Sequence, residues 1–367
     1  MPVAAKFVHP DPAVQRLLEA GHDGTTKVCP AGFSSFLIQL DGDYYPCGPY
    51  AEGVFKNANL LGNILRDARF TQWPEKKLIC SIFPPDRPDL FPNPKPSVEC
   101  WCFNFDIPLF KERPTTAQIS ELLAAKKRFP RTYINWNLSS VCNFSCKYCI
   151  NPNEVFDSRK AGRDKLFLSE AQILSICDKI LNQFDHIFLR LTGPMEPTMN
   201  PAIVKMFERL YASREKIDKI SLMTNFSAEP KLAKIIGMGW GSQLEILASM
   251  HILDDSYNPF KVVRLYQMAR RHDVMVKLHC VPSPDVVRFK RAYLDFFSFF
   301  GVPIVLSSYN GSRADGSEVG HYEFPEGFEP KSYRSVVHFL EHLAAYEPIS
   351  TLDSSHFENV LALNENK

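Results

Sequence analysis

From Arg131 onward the chain alternates between two kinds of segment, and that alternation constrains its fold more than any other feature. Runs that read as strands are "TYINWNLSS", "HIFLRLTG", "KISLMTN", "QLEILASMH", "VMVKLHCVP" and "VPIVLSS". Between them lie runs of helical periodicity: "LSEAQILSICDKILNQF", "PAIVKMFERLYASR", "EPKLAKIIGMG", "PFKVVRLYQMARRH" and "VVRFKRAYLDFFSFF". Ser169 stands where it can cap the first helix. Alternation sustained over about 175 residues predicts parallel β/α units with right-handed crossovers. Six units are too few for a full eight-stranded barrel. The pattern alone admits an open sheet or a partial barrel.

The strand faces discriminate between the two, because successive side chains point to opposite sides. One set of faces carries Asn135, Asn137, Arg190, Thr192, Ser221, Asn225, Glu245, Ser249, Lys277 and His279. The other carries Ile134, Trp136, Ile187, Leu189, Leu191, Leu222, Ile246, Leu278 and Cys280. A doubly wound sheet is apolar on both faces. A polar face predicts a barrel-like lumen that holds something polar; the alternative is that these groups lie near strand ends and are merely solvated.

Ahead of Arg131 the character changes. Residues 1–110 hold five cysteines and much proline, with "PPDRPDLFPNPKP" as an extended connector. Residues 111–130 read as a linker helix, capped by Thr115 with Gln118 at the capping-box position and ended by Pro130. Residues 131–310 form the alternating unit, and 311–367 a C-terminal extension. A net charge of +1 and the shortness of "KKRFPR" argue against a nucleic-acid surface. The absence of a long apolar run argues against a membrane span or a signal peptide, so a cytoplasmic protein is expected. In a reducing compartment, ten cysteines read as metal ligands or buried thiols rather than disulfides.

Three of them crowd into "VCNFSCKYC", as Cys142-x3-Cys146-x2-Cys149. The loop follows the first strand of the alternating unit, at the end where parallel β/α folds place their active sites. Three thiolates suit an iron–sulfur cluster with one iron left open to a non-protein ligand. The alternative is a zinc knuckle borrowing a distant fourth ligand.

This spacing, after the first strand of a six-unit β/α domain and with the aromatic Tyr148 before the last cysteine, resembles the radical S-adenosylmethionine superfamily. The resemblance covers about residues 131–310. It implies a (β/α)6 partial TIM barrel and a 4Fe-4S cluster on Cys142, Cys146 and Cys149. It also implies S-adenosylmethionine on the open iron, cleaved reductively to a 5′-deoxyadenosyl radical. "TGPMEPTMNP" resembles the family's "GGEPTLNP" and points to Gly193 and Glu196, although Pro194 and Met195 intrude and alter the turn. "LMTN" and "ASMH" resemble further strand-end motifs and point to Thr224, Asn225, Ser249 and His251 in the cofactor pocket.

In the N-terminal segment, "IQLDGDYY" predicts a hairpin with an Asp-Gly turn that would bring Cys29 and Cys47 together. Cys80 and the "CWC" of Cys100 and Cys102 complete the set. The Gly-x4-Cys hairpin and the following "GNI" resemble SPASM or twitch domains, which implies an auxiliary 4Fe-4S cluster. Those domains usually follow the barrel, and here the segment precedes it. A zinc fold and unliganded buried thiols are the alternatives. Cys177 and Cys280 read as core.

The resemblance implies an enzyme fed by flavodoxin or ferredoxin that oxidatively modifies a peptide or protein. The alternatives are epimerisation, dehydrogenation or rearrangement of a sugar or small metabolite, or a zinc-binding interaction protein. Arg190, Glu245, Lys277 and His279 are the expected lumen groups: Lys and Arg suit a carboxylate, and Glu245 or His279 could move a proton. A structural ion pair between Lys277 and Glu245 is the competing expectation.

Overall fold

The computed structural model describes residues 31, 32, 34–51, 56–72, 121, 125, 131–144, 167–193, 195–251, 257–280, 296, 297, 299–302 and 304–306. All six expected strands are present and in order: β4 Thr132–Asn137, β5 Ile187–Thr192, β6 Ile217–Thr224, β7 Leu244–Met250, β8 Met275–Cys280 and β9 Ile304–Leu306. Each pairs in parallel with the next. Three earlier strands, β1 Ser35–Ile38, β2 Asp43–Tyr45 and β3 Gly62–Asn63, extend the same sheet, giving nine strands in the order β3-β2-β1-β4-β5-β6-β7-β8-β9.

The hairpin forms as the Asp-Gly signal predicts. β1 and β2 pair antiparallel, and Gly42 takes φ 84°, a left-handed conformation that glycine adopts without a Cβ penalty. A Cβ there would lie 2.7 Å from Leu65 Cγ, so the site is crowded as well. The composition did not disclose that β1 runs parallel to β4, with Phe36 opposite Ile134 and Ile38 opposite Trp136. The described part of residues 1–110 therefore shares a sheet with the alternating unit. It also docks on a helix: Gln183 brackets Phe70, accepting from its N–H at 2.7 Å and donating to its carbonyl at 2.9 Å. Of the linker helix, Glu121 and Ala125 are described, joined by an N–H···O bond of 3.0 Å.

The principal helices are α2 Glu170–Gln183, α3 Ile203–Tyr211, α4 Glu229–Gly237 and α5 Pro259–Arg271, after the single turn α1 Lys56–Asn59. Ser169 caps α2 through a full capping box with Gln172. Asn258 caps α5 by accepting from Phe260 N at 3.0 Å and Lys261 N at 3.3 Å.

Register shows why the sheet is two-faced. Phe36, Ile134, Leu189, Ile220 and Leu244 lie in one row. Ile38, Trp136, Leu191, Leu222, Ile246 and Val276 lie in the next. All of these join one hydrophobic cluster with Ile176 of α2, Phe207 of α3, Ile235 of α4 and Leu265 of α5. The four long described helices thus cover the same side of the sheet. That is not the two-sided cover of a doubly wound fold. Cys177 is fully buried in this cluster, as expected, and burial pushes its thiol far up.

Candidate active site

The rim formed by the C-terminal ends of β4 to β7 brings several expected residues together. The chain leaving β4 turns sharply, with Ser139 Oγ accepting from Val141 N at 3.1 Å. Gly193 lies against that turn, and a Cβ on it would sit 3.3 Å from the Ser139 carbonyl. Val141 then accepts from Glu196 N at 3.1 Å, hooking the loop after β5 onto the start of the cysteine loop.

Glu196 is the brace of the rim. Its carboxylate is 3% exposed and accepts from Thr198 N at 3.0 Å, from the Thr198 hydroxyl, from Thr224 Oγ1 at 2.7 Å and from Asn225 N at 2.5 Å. Burial raises its pKa, while the hydrogen bonds from Asn225, Thr198 and Thr224 pull the other way. Lys231 of α4 stands nearby and donates to the carbonyls of Thr198 at 2.6 Å and Asn200 at 3.1 Å. Burial lowers its pKa against the attraction of Glu196. Glu196 and Thr224 accordingly spend their polar atoms on holding backbone in place.

Asn225 links that brace to the cysteine loop. Its Nδ2 donates to Asn143 Oδ1 at 2.8 Å and to Cys142 Sγ at 3.7 Å. Phe144 N donates to the same sulfur at 3.4 Å. Phe226, next in the chain, holds φ 61° and is anchored by its N–H on Thr224 Oγ1 at 3.0 Å. From the end of β7, His251 packs edge-on against Phe144, with centroids 5.3 Å apart. Cys142, Glu196, Thr224, Asn225 and His251 therefore meet at one rim. Asn143, Phe144, Thr198 and Ser227 belong to it too and escaped sequence reasoning; for Asn143, Thr198 and Ser227, short polar residues in or beside a motif are the signal that could have found them.

Cys146, Cys149 and Tyr148 of the loop lie outside the described residues, as do Cys29, Cys80, Cys100 and Cys102. Cys47 is described and buried. Among the described residues no cluster of three His, Cys, Asp or Glu could hold a metal ion. Two N–H groups aimed at the Cys142 sulfur suit a thiolate ligand, in contrast to Cys177 in its apolar bed.

The face opposite the helices carries the expected polar groups in register. Asn135, Arg190, Ser221 and Glu245 form one row, and Ser249 pairs with His279. Glu245 is held between Lys277 at 2.9 Å and Lys219 at 3.4 Å. The competing expectation of a Lys277–Glu245 ion pair is thus what the geometry contains. Arg190 Nη2 and Thr192 Oγ1 both donate to Met223 Sδ, at 2.9 and 3.3 Å. His279 has its pKa lowered, first by burial and then by the charges of Lys277 and Arg190. Glu245 precedes Met250 by five residues, which places it about 17 Å along the strand from the rim.

No protein-family model matches the chain, and no curated protein is similar to it in sequence. Among solved structures it is similar to native anSMEcpe with bound AdoMet and Cp18Cys peptide, at 20% identity and a TM-score of 0.40 over 58% of this chain and 58% of that one. Native anSMEcpe with bound AdoMet gives 20% identity and a TM-score of 0.41 over 59% and 60%. SuiB from Streptococcus suis, bound to precursor peptide SuiA, gives 13% and 0.41 over 63% and 49%. The chain spans between 49% and 60% of the length of these proteins. TM-scores of this size describe a loose likeness and carry nothing about activity. No described helix is long and apolar enough to cross a membrane.

Proposed function

We propose that this chain is a radical S-adenosylmethionine enzyme built as a (β/α)6 partial barrel, with its 4Fe-4S cluster on Cys142, Cys146 and Cys149. The observation that carries this reading is the junction at Cys142. The sulfur lies at the C-terminal end of β4, receives an N–H from Asn225 at the end of β6, and is tied through Asn225 to Glu196 after β5. The motifs that resemble the family's are thereby joined by hydrogen bonds at one end of the strands.

Cys142, Cys146 and Cys149 would hold the cluster, and with S-adenosylmethionine bound it would supply one-electron reductive cleavage and hydrogen-atom abstraction. The chain's own residues do the rest. Glu196 and Thr224 fix the backbone of the rim, Gly193 leaves room for the turn after β4, and His251 steadies Phe144 in the cysteine loop. On the inner face, Arg190, Ser249 and His279 line the approach, while Glu245 and Lys277 secure the lower wall as an ion pair. Tyr148 is assigned to the cofactor pocket with Ser249. Cys29, Cys47, Cys80, Cys100 and Cys102 are assigned to one auxiliary 4Fe-4S cluster, flavodoxin or ferredoxin to electron supply, and a peptide or protein to the substrate.

The test is anaerobic reconstitution followed by incubation with S-adenosylmethionine and a reductant. Wild-type protein is expected to bind about eight irons in two clusters and to release 5′-deoxyadenosine. Replacing Cys142, Cys146 and Cys149 by Ala should halve the iron and abolish release. Equal release from both proteins, or a colourless zinc-loaded wild type, sinks the reading.

A further inference from the structure

Asn225 is 4% exposed, and both polar atoms of its carboxamide are committed. Its Nδ2 donates to Asn143 Oδ1 at 2.8 Å, Asn143 Nδ2 donates to Ser227 Oγ at 3.0 Å, and Ser227 Oγ donates to Asn225 Oδ1 at 2.6 Å. These bonds close a ring in which every donor meets an acceptor, so each strengthens the next. Ser227 N adds a second donor to Asn225 Oδ1 at 3.1 Å. With the oxygen claimed twice, the amide cannot flip. One Nδ2 proton belongs to Asn143, and the other points to Cys142 Sγ. The backbone of Asn225 is pinned independently by Glu196.

We propose that Asn225 is a positioning residue that raises the reduction potential of the iron–sulfur centre Cys142 ligates, by donating its amide N–H to the ligand sulfur. The inference rests on the function proposed above and reassigns Asn225 from the S-adenosylmethionine pocket to the cysteine ligand. An N–H aimed at a ligand sulfur favours the reduced, more negative state of a cluster. Phe144 N supplies a second donor that no side-chain replacement removes, so Asn225 accounts for part of the effect. The ring through Asn143 and Ser227 keeps the donor aimed when the sulfur's charge changes.

The experiment is a redox titration of anaerobically reconstituted protein, followed by electron paramagnetic resonance. The relevant signal is the one lost in Cys142→Ala. Asn225→Asp exchanges the donor for an acceptor of the same shape and is expected to lower the potential most. Asn225→Ala lowers it less. Ser227→Ala and Asn143→Ala keep the N–H but release its orientation, and lower it least. Full iron content with an unchanged potential in all four variants overturns the proposal. If the Asn225 variants fail to load iron, Ser227→Ala and Asn143→Ala decide: a lowered potential supports the proposal, and an unchanged one overturns it. A wild type that binds no iron removes the proposed function itself, and this inference with it. A loaded wild type with unshifted variants removes this inference alone.

Discussion

On the helix-covered face of the sheet, Ile134, Trp136, Leu189 and Leu222 are each 0% exposed; on the opposite face Arg190 and Ser221 are 2% exposed and Glu245 is 7%. The centre of the second face is almost as hidden from water as the first, for a different reason, while Asn135, Ser249, Lys277 and His279 around it are partly exposed. The first is closed by apolar side chains interlocking with four helices, and burial of each large one contributes about 1.5–3 kcal/mol. The second must satisfy every charge it encloses, because a buried ion without a partner is costly. Stability is concentrated on the first face. On the second, Lys219, Lys277 and Glu245 hold one another by charge rather than by apolar packing.

The widest contrast is expected from Trp136→Ala. It opens a cavity in the helix-covered core and should cost about 3–5 kcal/mol in denaturant unfolding. A loss near zero would mean that this face is not the main core. Glu245→Gln comes next. It leaves Lys219, whose side chain is 16% exposed, beside a neutral amide, while Lys277 at 42% can turn to solvent. A loss of about 1–3 kcal/mol is expected, discounted for that exposure. If Glu245→Gln costs more than Trp136→Ala, the division of labour between the faces is reversed.

Lys277→Met should be milder for the fold, about 0–1 kcal/mol, because Lys219 still pairs with Glu245. Iron content should be unchanged and substrate turnover reduced, with 5′-deoxyadenosine release retained. The smallest effect concerns His279, whose folded pKa is lowered by burial, then by Lys277, then by Arg190. Below about pH 6.5 the unfolded chain takes up a proton that the folded chain refuses. Stability is therefore full above that value, declines as the pH falls toward the lowered folded pKa, and levels off beyond it. Lys277→Met should raise the imidazole pKa measured by nuclear magnetic resonance and shrink the decline. An unmoved His279 titration would show that the two side chains do not share a face.

Much of this plan was legible in the sequence. Periodicity placed β4 to β9 and α2 to α5, since the strands are short apolar runs, each helix carries an apolar stripe, and Ser169 caps the first of them. The alternation of Lys277, Leu278 and His279 placed the two faces, because side-chain direction in a strand has a period of two. The parallel pairing of β1 with β4 was not legible. Ser35–Ile38 carries no mark of its partner, and about 95 residues separate the two strands. At the rim, the motifs located Glu196, Thr224, Asn225 and His251 but not their division of labour. Whether a buried carboxylate faces a ligand or the backbone depends on the turn around it, and Thr198 and Ser227 enter only when that turn is folded.

The attachment of β1 to β4 also bears on solubility. A long parallel strand left at the margin of a sheet offers a row of unpaired backbone groups to any passing chain. Among the described residues β4 is covered by β1, β1 by β2, and the margin passes to β3, which is only two residues long. Asn63 and Asp67 engage even that short stretch, the Asp67 carboxylate accepting from Asn63 N at 2.9 Å. Among the described residues the hairpin thus acts as a selvedge, finishing this margin of the weave with a stretch too short to leave many loose threads.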